Sequence, residues 1–413
     1  DRSSKILNYL GEVIVNGNPD VKFIENSKVF RNAKTPAFNQ FSKYPKGTKD
    51  LLTEMGPDSF SKWLRDEKKI HYTDTTIRDA HQSLLATRMR TYDMLKVAES
   101  FAKNHANTFS IEMWGGATFD VCLRFLHESP WSRLRDLRKA MPNILFQMLL
   151  RGSNAVGYKA YPDNLIEKFV DKSWENGIDI FRIFDSLNWV KAMEPSIKYV
   201  RNTNGALAEA AISYTGNILD TSQTKYNLNY YTQLAKDLEN TGAHIIALKD
   251  MAGLLTPYAA TELIGALRDT VKLPIHLHTH DTSSLQSATY LKAIEANVDV
   301  IDVALGGLSG LTSQPNFNSI VEMMKYHERA HEFDINKLNQ FSNYWEDIRE
   351  YYYPFESGLK SGTAEVYQHE IPGGQYSNLR PQANALGLGG RFDEVKKMYT
   401  EVNAMFGNIV KVT

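Results

Sequence analysis

From about residue 70 onward the chain repeats one pattern: a short apolar run rich in β-branched residues, a polar or glycine-containing turn, then a stretch of helical periodicity. The runs at 71–79, 108–114, 144–151, 178–185, 208–214, 244–249, 274–280 and 298–305 predict eight strands. Helical patterns separate them, for instance at 163–175, 192–201, 229–240, 257–269 and 285–296, and Asn176-Gly177 and Thr241-Gly242 supply left-handed stops. Eight such units over roughly 250 residues predict an α/β fold, a TIM (β/α)8 barrel over 70–325. A doubly wound open sheet fits less well, because no G-x-G-x-x-G follows the first strand.

The flanks read differently. Residues 1–69 predict a linker and lead-in helices: an amphipathic start (Ile6, Leu7, Tyr9, Leu10, Val13), an Asn-, Lys- and Pro-rich stretch through Pro45, and a helical pattern at 59–67. Residues 326–413 predict a mainly helical C-terminal subdomain, interrupted at 354–358 and by the glycines of 372–375. The chain begins without Met and stops at Thr413, so both ends are expected to be cut from something longer and this subdomain to be partial.

Composition narrows the class. With 413 residues, 42% hydrophobic, the chain has enough apolar surface for a large core. Lys+Arg 47 against Asp+Glu 48 leaves a net charge of -1, which offers no general attraction to nucleic acid or an anionic membrane. One cysteine, Cys122, excludes an internal disulfide framework and fits a reducing compartment, and its apolar, helical surroundings suit a buried small hydrophobe better than a nucleophile. No apolar run reaches membrane-spanning length, and the N-terminus lacks a signal-peptide layout.

Polar residues collect at the predicted C-terminal strand ends, where barrel enzymes keep their chemistry. The H-x-H of His278 and His280 places two imidazoles on one strand face, about 7 Å apart. Asp79, ending the first strand, completes a 2-His-1-carboxylate set suited to Zn²⁺, Mn²⁺, Co²⁺ or Fe²⁺. Lys249 ends the sixth strand and, as an ammonium, would repel that metal. Its chemistry leaves three readings: a ligand for a substrate anion, a Schiff-base former, or half of an ion pair with Asp250. Arg151 has the planar fork that matches a carboxylate, with a structural salt bridge as the equal alternative. Gln82 is either a hydrogen-bonding partner of the same ligand or a surface residue opening a helix. The aromatic run at 351–355 has no basic stripe beside it and reads as packing.

The motifs are long and specific. TDTTIRDAHQSLLATR at 73–88, LRGSNAVGY at 150–158, RIFDSLN at 182–188, LKDMAG at 248–253, HTHDT at 278–282, SGLTSQP at 309–315 and GGQYSNL at 373–379 together resemble the carboxyltransferase domain of pyruvate carboxylase, in the biotin-dependent carboxylase family. The opening NGNP at 16–19 resembles the segment joining the biotin carboxylase domain to that domain. The resemblance implies a barrel with a funnel-like helical C-terminal part. It makes Asp79, Lys249, His278 and His280 ligands of a divalent metal (Mn²⁺ or Zn²⁺), with Lys249 carboxylated and so turned into an anionic oxygen ligand. Arg151 becomes the ligand of the pyruvate carboxylate and Gln82 a second substrate contact, with Arg78 lining the same pocket. Asp120 and Tyr158 fall near the biotin and pyruvate sites. Thr413 falls on the threonine that shuttles a proton between pyruvate and biotin.

The implied reaction is the carboxyltransferase half of an anaplerotic, gluconeogenic ligase. Carboxybiotin on a carrier domain loses CO₂, the proton moves through Thr413, and the enolate of pyruvate captures CO₂ to give oxaloacetate. The resemblance also implies partners outside the chain, namely the biotinyl carrier and biotin carboxylase domains, and a homo-oligomer, a tetramer at full length. It implies a bacterial cytoplasmic location, or the mitochondrial matrix for a eukaryotic source, with neither nucleic acid nor membrane as partner. Two departures stand out. Residues 283–286 read Ser-Ser-Leu-Gln where relatives often carry Gly, and the family continues past Thr413 with further helices. No biotin carboxylase domain and no Met-Lys-Met biotinylation site occur in the chain, so the whole ATP-dependent reaction is not expected of it alone. The alternatives are a biotin-dependent oxaloacetate decarboxylase or transcarboxylase subunit, a metal-dependent aldolase or acyl-CoA condensing enzyme, and a catalytically silent scaffold.

Overall fold

The computed structural model describes residues 1–18, 30–356 and 358–412. Two compact units make up the chain, Asp1–Asn32 and Ala33–Thr413. In the first, the helix Arg2–Asn16 is capped by the Asp1 carboxylate, which accepts from Ser3 N at 3.2 Å, and the helix buries none of its residues.

The second unit is built on a closed barrel of eight parallel strands in sequential order. They are β1 (His71–Asp74), β2 (Ser110–Trp114), β3 (Leu145–Leu150), β4 (Ile180–Ile183), β5 (Leu207–Ser213), β6 (Ile245–Asp250), β7 (Ile275–Thr279) and β8 (Val300–Val303). Closure is through β1 and β8, with His71 opposite Val300 and Asp74 opposite Val303. Every strand is buried throughout, which is why the strands read as apolar runs and not as alternating ones. Helices follow the strands as the β/α period predicts.

Two lead-in helices, Thr48–Met55 and Pro57–Asp66, lie in this unit. Leu52, Phe60 and Leu64 pack with Phe109, Leu145, Ile180, Leu207, Ile245 and Val300 at the starts of the strands, so these helices close the N-terminal mouth of the barrel. The opposite mouth is left for chemistry. Beyond the barrel the chain is mostly helical, with Ile335–Tyr351, Val366–His369, Gly373–Ala385 and Phe392–Met405. The aromatic run packs as expected at its centre, where Tyr352 is buried and its hydroxyl donates to Asp93 at 2.5 Å. Among the described residues no helix is long and apolar enough to cross a membrane.

One strand departs from its predicted bounds in a way that matters. The run 71–79 reads as a single strand, but β1 ends at Asp74 and the chain turns into a π-helical turn, Thr76–Ala80, in which Ala80 N–H reaches back five residues to Thr75 O at 3.2 Å. Local side chains compete with the sheet here. The Asp74 carboxylate accepts from Thr76 N at 2.9 Å, and Thr75 Oγ1 donates to Val303 O at 3.0 Å and Gln314 Oε1 at 2.7 Å. Cys122 is buried at the start of a second π turn, Cys122–Leu126.

Candidate active site

The π turn after β1 and the end of β7 bring three side chains together. Asp79 Oδ2 lies 3.3 Å from Nε2 of His278 and 3.3 Å from Nε2 of His280, and the two nitrogens are 3.2 Å apart. Each of the three residues is at most 1% exposed. The far side of each imidazole is fixed: His280 Nδ1 is 2.6 Å from the backbone oxygen of Thr312 and His278 Nδ1 is 2.6 Å from Asp302 Oδ2. A carbonyl oxygen only accepts, so His280 Nδ1 carries a proton and donates to it. The carboxylate of Asp302 likewise keeps the His278 proton on Nδ1.

Burial pushes the His278 imidazole down to about 3, so it is neutral at ordinary pH. Burial pushes the Asp79 carboxyl up, but the adjoining Arg78 guanidinium together with His280 and His278 outweighs this and holds it well below the usual carboxylate range. Two imidazole nitrogens and a carboxylate oxygen thus converge on one point, and this N₂O donor set suits a borderline divalent metal. Gln314 Nε2 donates to Asp79 Oδ2 at 2.9 Å and Arg78 Nη1 to Asp79 Oδ1 at 2.8 Å, which fixes the carboxylate plane.

Lys249 on β6 is the register partner of His278 on β7. It is 2% exposed, and burial pushes its amine down to about 8. Its Nζ meets the Met251 sulfur and lies 5.7 Å from the centre of the Phe184 ring. The ion-pair reading with Asp250 fails, because that carboxylate points elsewhere: it accepts from Leu254 N at 2.9 Å, Leu255 N at 2.8 Å and Thr279 Oγ1 at 3.0 Å.

A cavity of about 940 Å³ opens at this end of the barrel, lined by Gln82, Asp120, Arg151, Tyr158, Phe184 and Val412 among others. Arg151 donates to Gly157 O at 3.0 Å and sits 4.9 Å over the Tyr158 ring, and it pairs with no carboxylate among the described residues. The structural salt bridge is thus not what Arg151 makes. Asp120 pairs with Arg124 at 2.8 Å, and Tyr158 is 74% exposed at the rim. Arg78 is 1% exposed and lies beneath the lining, bound to Asp79 and Glu112, with Nη1 reaching Gln82 Oε1 at 3.4 Å. It links the cavity to Asp79 instead of lining it. Thr413 lies outside the described residues. Its neighbour Val412 accepts from Gln375 Nε2 at 3.0 Å. In the 283–286 stretch, Ser284 adopts φ 61, the left-handed conformation glycine takes without strain.

Below Asp79, His278 and His280 the barrel holds a charged network that the sequence alone did not single out. Arg182 joins Glu209, its register partner on the next strand, and Asp302 at 2.5 Å. His276 lies between Glu209 at 2.8 Å and Asp302 at 2.6 Å. Burial alone would lower its pKa, but the two carboxylates outweigh burial and raise it. A signal was present: Glu112, Arg182, Glu209 and Asp302 each stand alone inside an otherwise apolar or small-residue strand, and His276 shares its strand with His278.

Comparison with known proteins agrees with this geometry. A family profile described as "Conserved carboxylase domain" matches residues 366–413, and one described as "HMGL-like" matches 177–344. Pyruvate carboxylase of Bacillus subtilis is 54% identical over 421 residues, covering 100% of this chain and 36% of that protein, and pyruvate carboxylase of Staphylococcus aureus is 54% identical over 415 residues with the same coverage. The chain thus spans about a third of the length of these curated relatives. The carboxyl transferase domain from Rhizobium etli pyruvate carboxylase, solved with pyruvate, superposes with a TM-score of 0.92 at 51% identity, covering 100% of this chain and 70% of that one. Half-identical over its whole length to most of a solved domain, and sharing its closed barrel, the chain belongs to the family of pyruvate carboxylase carboxyltransferase domains.

Proposed function

We propose that the chain catalyses the carboxyltransferase half-reaction, carboxybiotin plus pyruvate giving biotin plus oxaloacetate. The observation that carries this reading is the convergence of Asp79, His278 and His280 beside a cavity on whose wall the half-buried Arg151 guanidinium has no carboxylate partner among the described residues. A 2-oxo acid has the two matching handles, a carboxylate for Arg151 and a keto oxygen for a Lewis acid.

Asp79, His278, His280 and Lys249, the last as its carbamate, would hold the divalent metal, Mn²⁺ or Zn²⁺. That metal supplies Lewis acidity that stabilises negative charge on the keto oxygen. An amine pushed down to about 8 has a larger neutral fraction near neutrality, and the neutral amine is the form that adds CO₂. The exchange also conserves charge: an ammonium (+1) is replaced by a divalent cation (+2) and a carbamate (−1), so the surrounding carboxylates and guanidinia keep their balance. Arg151 binds and orients the pyruvate carboxylate, and Gln82 hydrogen-bonds the same molecule while Arg78 holds Asp79 and Gln82 in place. Thr413, next to Val412 at the cavity, relays the methyl proton to the biotin nitrogen in concert with bond breaking, since a hydroxyl is too weakly acidic to act as a free base. Asp120 and Tyr158 shape the biotin side of the cavity.

On this reading residues 70–325 are the catalytic barrel and 326–413 its helical cover, with 1–69 leading in. Carboxybiotin arrives on a biotinyl carrier domain charged by a biotin carboxylase domain, within a homo-oligomer, in bacterial cytoplasm. The test is metal content and pyruvate binding of the purified chain beside Lys249→Ala and Arg151→Ala. About one metal per chain is expected, lost with Lys249→Ala, and pyruvate binding is expected to be lost with Arg151→Ala. Metal-free wild-type protein that binds no pyruvate refutes the proposal.

A further inference from the structure

Asp302, the third residue of β8, is fully buried, and its carboxylate serves three side chains at once. Oδ2 is 2.6 Å from His278 Nδ1 and 2.5 Å from Arg182 Nη1, while Oδ1 is 2.6 Å from His276 Nε2 and 3.3 Å from Arg182 Nη2. Four contacts match the roughly four lone-pair positions of a carboxylate, so its orientation is fully determined. The backbone is pinned as well. Tyr290 OH donates to Asp302 O at 2.6 Å and accepts from Thr279 N at 3.3 Å, which ties β8 to β7 beside the histidines.

We propose that Asp302 is a positioning residue of the metal centre: by accepting the Nδ1 proton of His278 it fixes that ring's rotation and tautomer and aims its Nε2 lone pair at Asp79 and His280. The inference rests on the metal-centre reading above. The two histidines are not equivalent. His280 is held by a neutral carbonyl, whereas His278 is held by a carboxylate, which adds electron density to the imidazole and makes it the stronger donor.

Glu209 separates positioning from mere support. It is equally buried and binds the same Arg182 and His276, yet it touches none of Asp79, His278 and His280. The test compares the wild-type chain with Asp302→Asn and Glu209→Gln, measuring Mn²⁺ affinity by the paramagnetic resonance of free Mn²⁺ and the visible spectrum of the Co²⁺-loaded protein. Asp302→Asn is expected to weaken Mn²⁺ binding by roughly 10–100-fold and to change the Co²⁺ bands. Glu209→Gln is expected to lower thermal stability while leaving both readouts as in wild type. Wild-type affinity in Asp302→Asn, or an equal loss in both variants, overturns the proposal. Wild-type chain that takes up no Mn²⁺ overturns it together with the metal-centre reading, which distinguishes the two failures. Should Asp302→Asn not fold, the ¹⁵N imidazole spectrum of the wild-type chain decides: His278 protonated at Nδ1 supports the proposal, and the opposite tautomer overturns it.

Discussion

Gly116 stands against the guanidinium of Arg151, and replacing it with alanine moves that group without removing a charge. A Cβ on Gly116 would lie 2.6 Å from Arg151 Cζ, 2.7 Å from Nη1 and 2.8 Å from Nη2. Van der Waals contact requires about 3.5–4.0 Å, so the fork must retreat by about 1 Å. Charge-assisted bonds to a substrate carboxylate near 2.8 Å would then stretch to roughly 3.8 Å, beyond hydrogen-bonding range. Losing a bond to a charged group costs about 1.5–3 kcal/mol, which at about 1.4 kcal/mol per decade is a weakening of roughly 10–150-fold in pyruvate affinity. Stability moves the other way. Gly116 opens the helix Gly116–Val121 and has no left-handed backbone, so alanine is expected to be neutral or to stabilise by up to about 1 kcal/mol. Calorimetric titration of the metal-loaded variant with pyruvate, alongside thermal denaturation, reads both effects. Wild-type pyruvate affinity in Gly116→Ala would refute the assignment of Arg151 as the carboxylate ligand.

Two other perturbations probe the scaffold. Gly253 has φ +73 and a Cβ there would meet His280 O at 2.3 Å. Gly253→Ala should therefore destabilise by roughly 2–5 kcal/mol, combining left-handed strain with overpacking, and a loss below about 1 kcal/mol in denaturant titration would contradict the geometry. Burial raises the Glu128 carboxyl, but its bonds from Thr91 and Arg133 outweigh this and hold it below the ordinary 4.5. A depressed carboxyl contributes stability that is present above the unfolded value and lost as pH falls through the folded one. The stability gap between wild type and Glu128→Gln should accordingly shrink below about pH 4.5, and a gap that does not vary with pH would be inconsistent with the pairing.

The eight strands were legible because a parallel barrel buries both faces of each strand, so the apolar runs are continuous and bounded by turns. Asp79, His278 and His280 were legible too, from strand alternation and the concentration of polar residues at strand ends. The exit from β1 was not: Thr73, Thr75, Thr76 and Ile77 are β-branched and read as extended, while the decisive bonds of Asp74 and Thr75 run to side-chain and backbone partners that only the closed barrel supplies. The same limit hid the network of Glu112, Arg182, Glu209, His276 and Asp302. Each lies on a different strand, β4 neighbouring β5 and β7 neighbouring β8, and a single polar group does not name its partner. For Lys249 the residues alone left three readings, and only the family resemblance singled out the carbamate.

The π turn at Thr76–Ala80 makes chain length itself part of the proposed metal site. A π turn holds one residue more than the α turn it replaces, and each residue of a helix rotates its side chain by about 100°. Deleting any one residue other than Asp79 between Asp74 and His81 would let the segment relax into an ordinary helix and swing the Asp79 carboxylate away from the imidazoles, although Asp79, His278 and His280 were all still encoded. Descendants of this sequence are therefore free to exchange side chains in that segment more readily than to lose a codon from it.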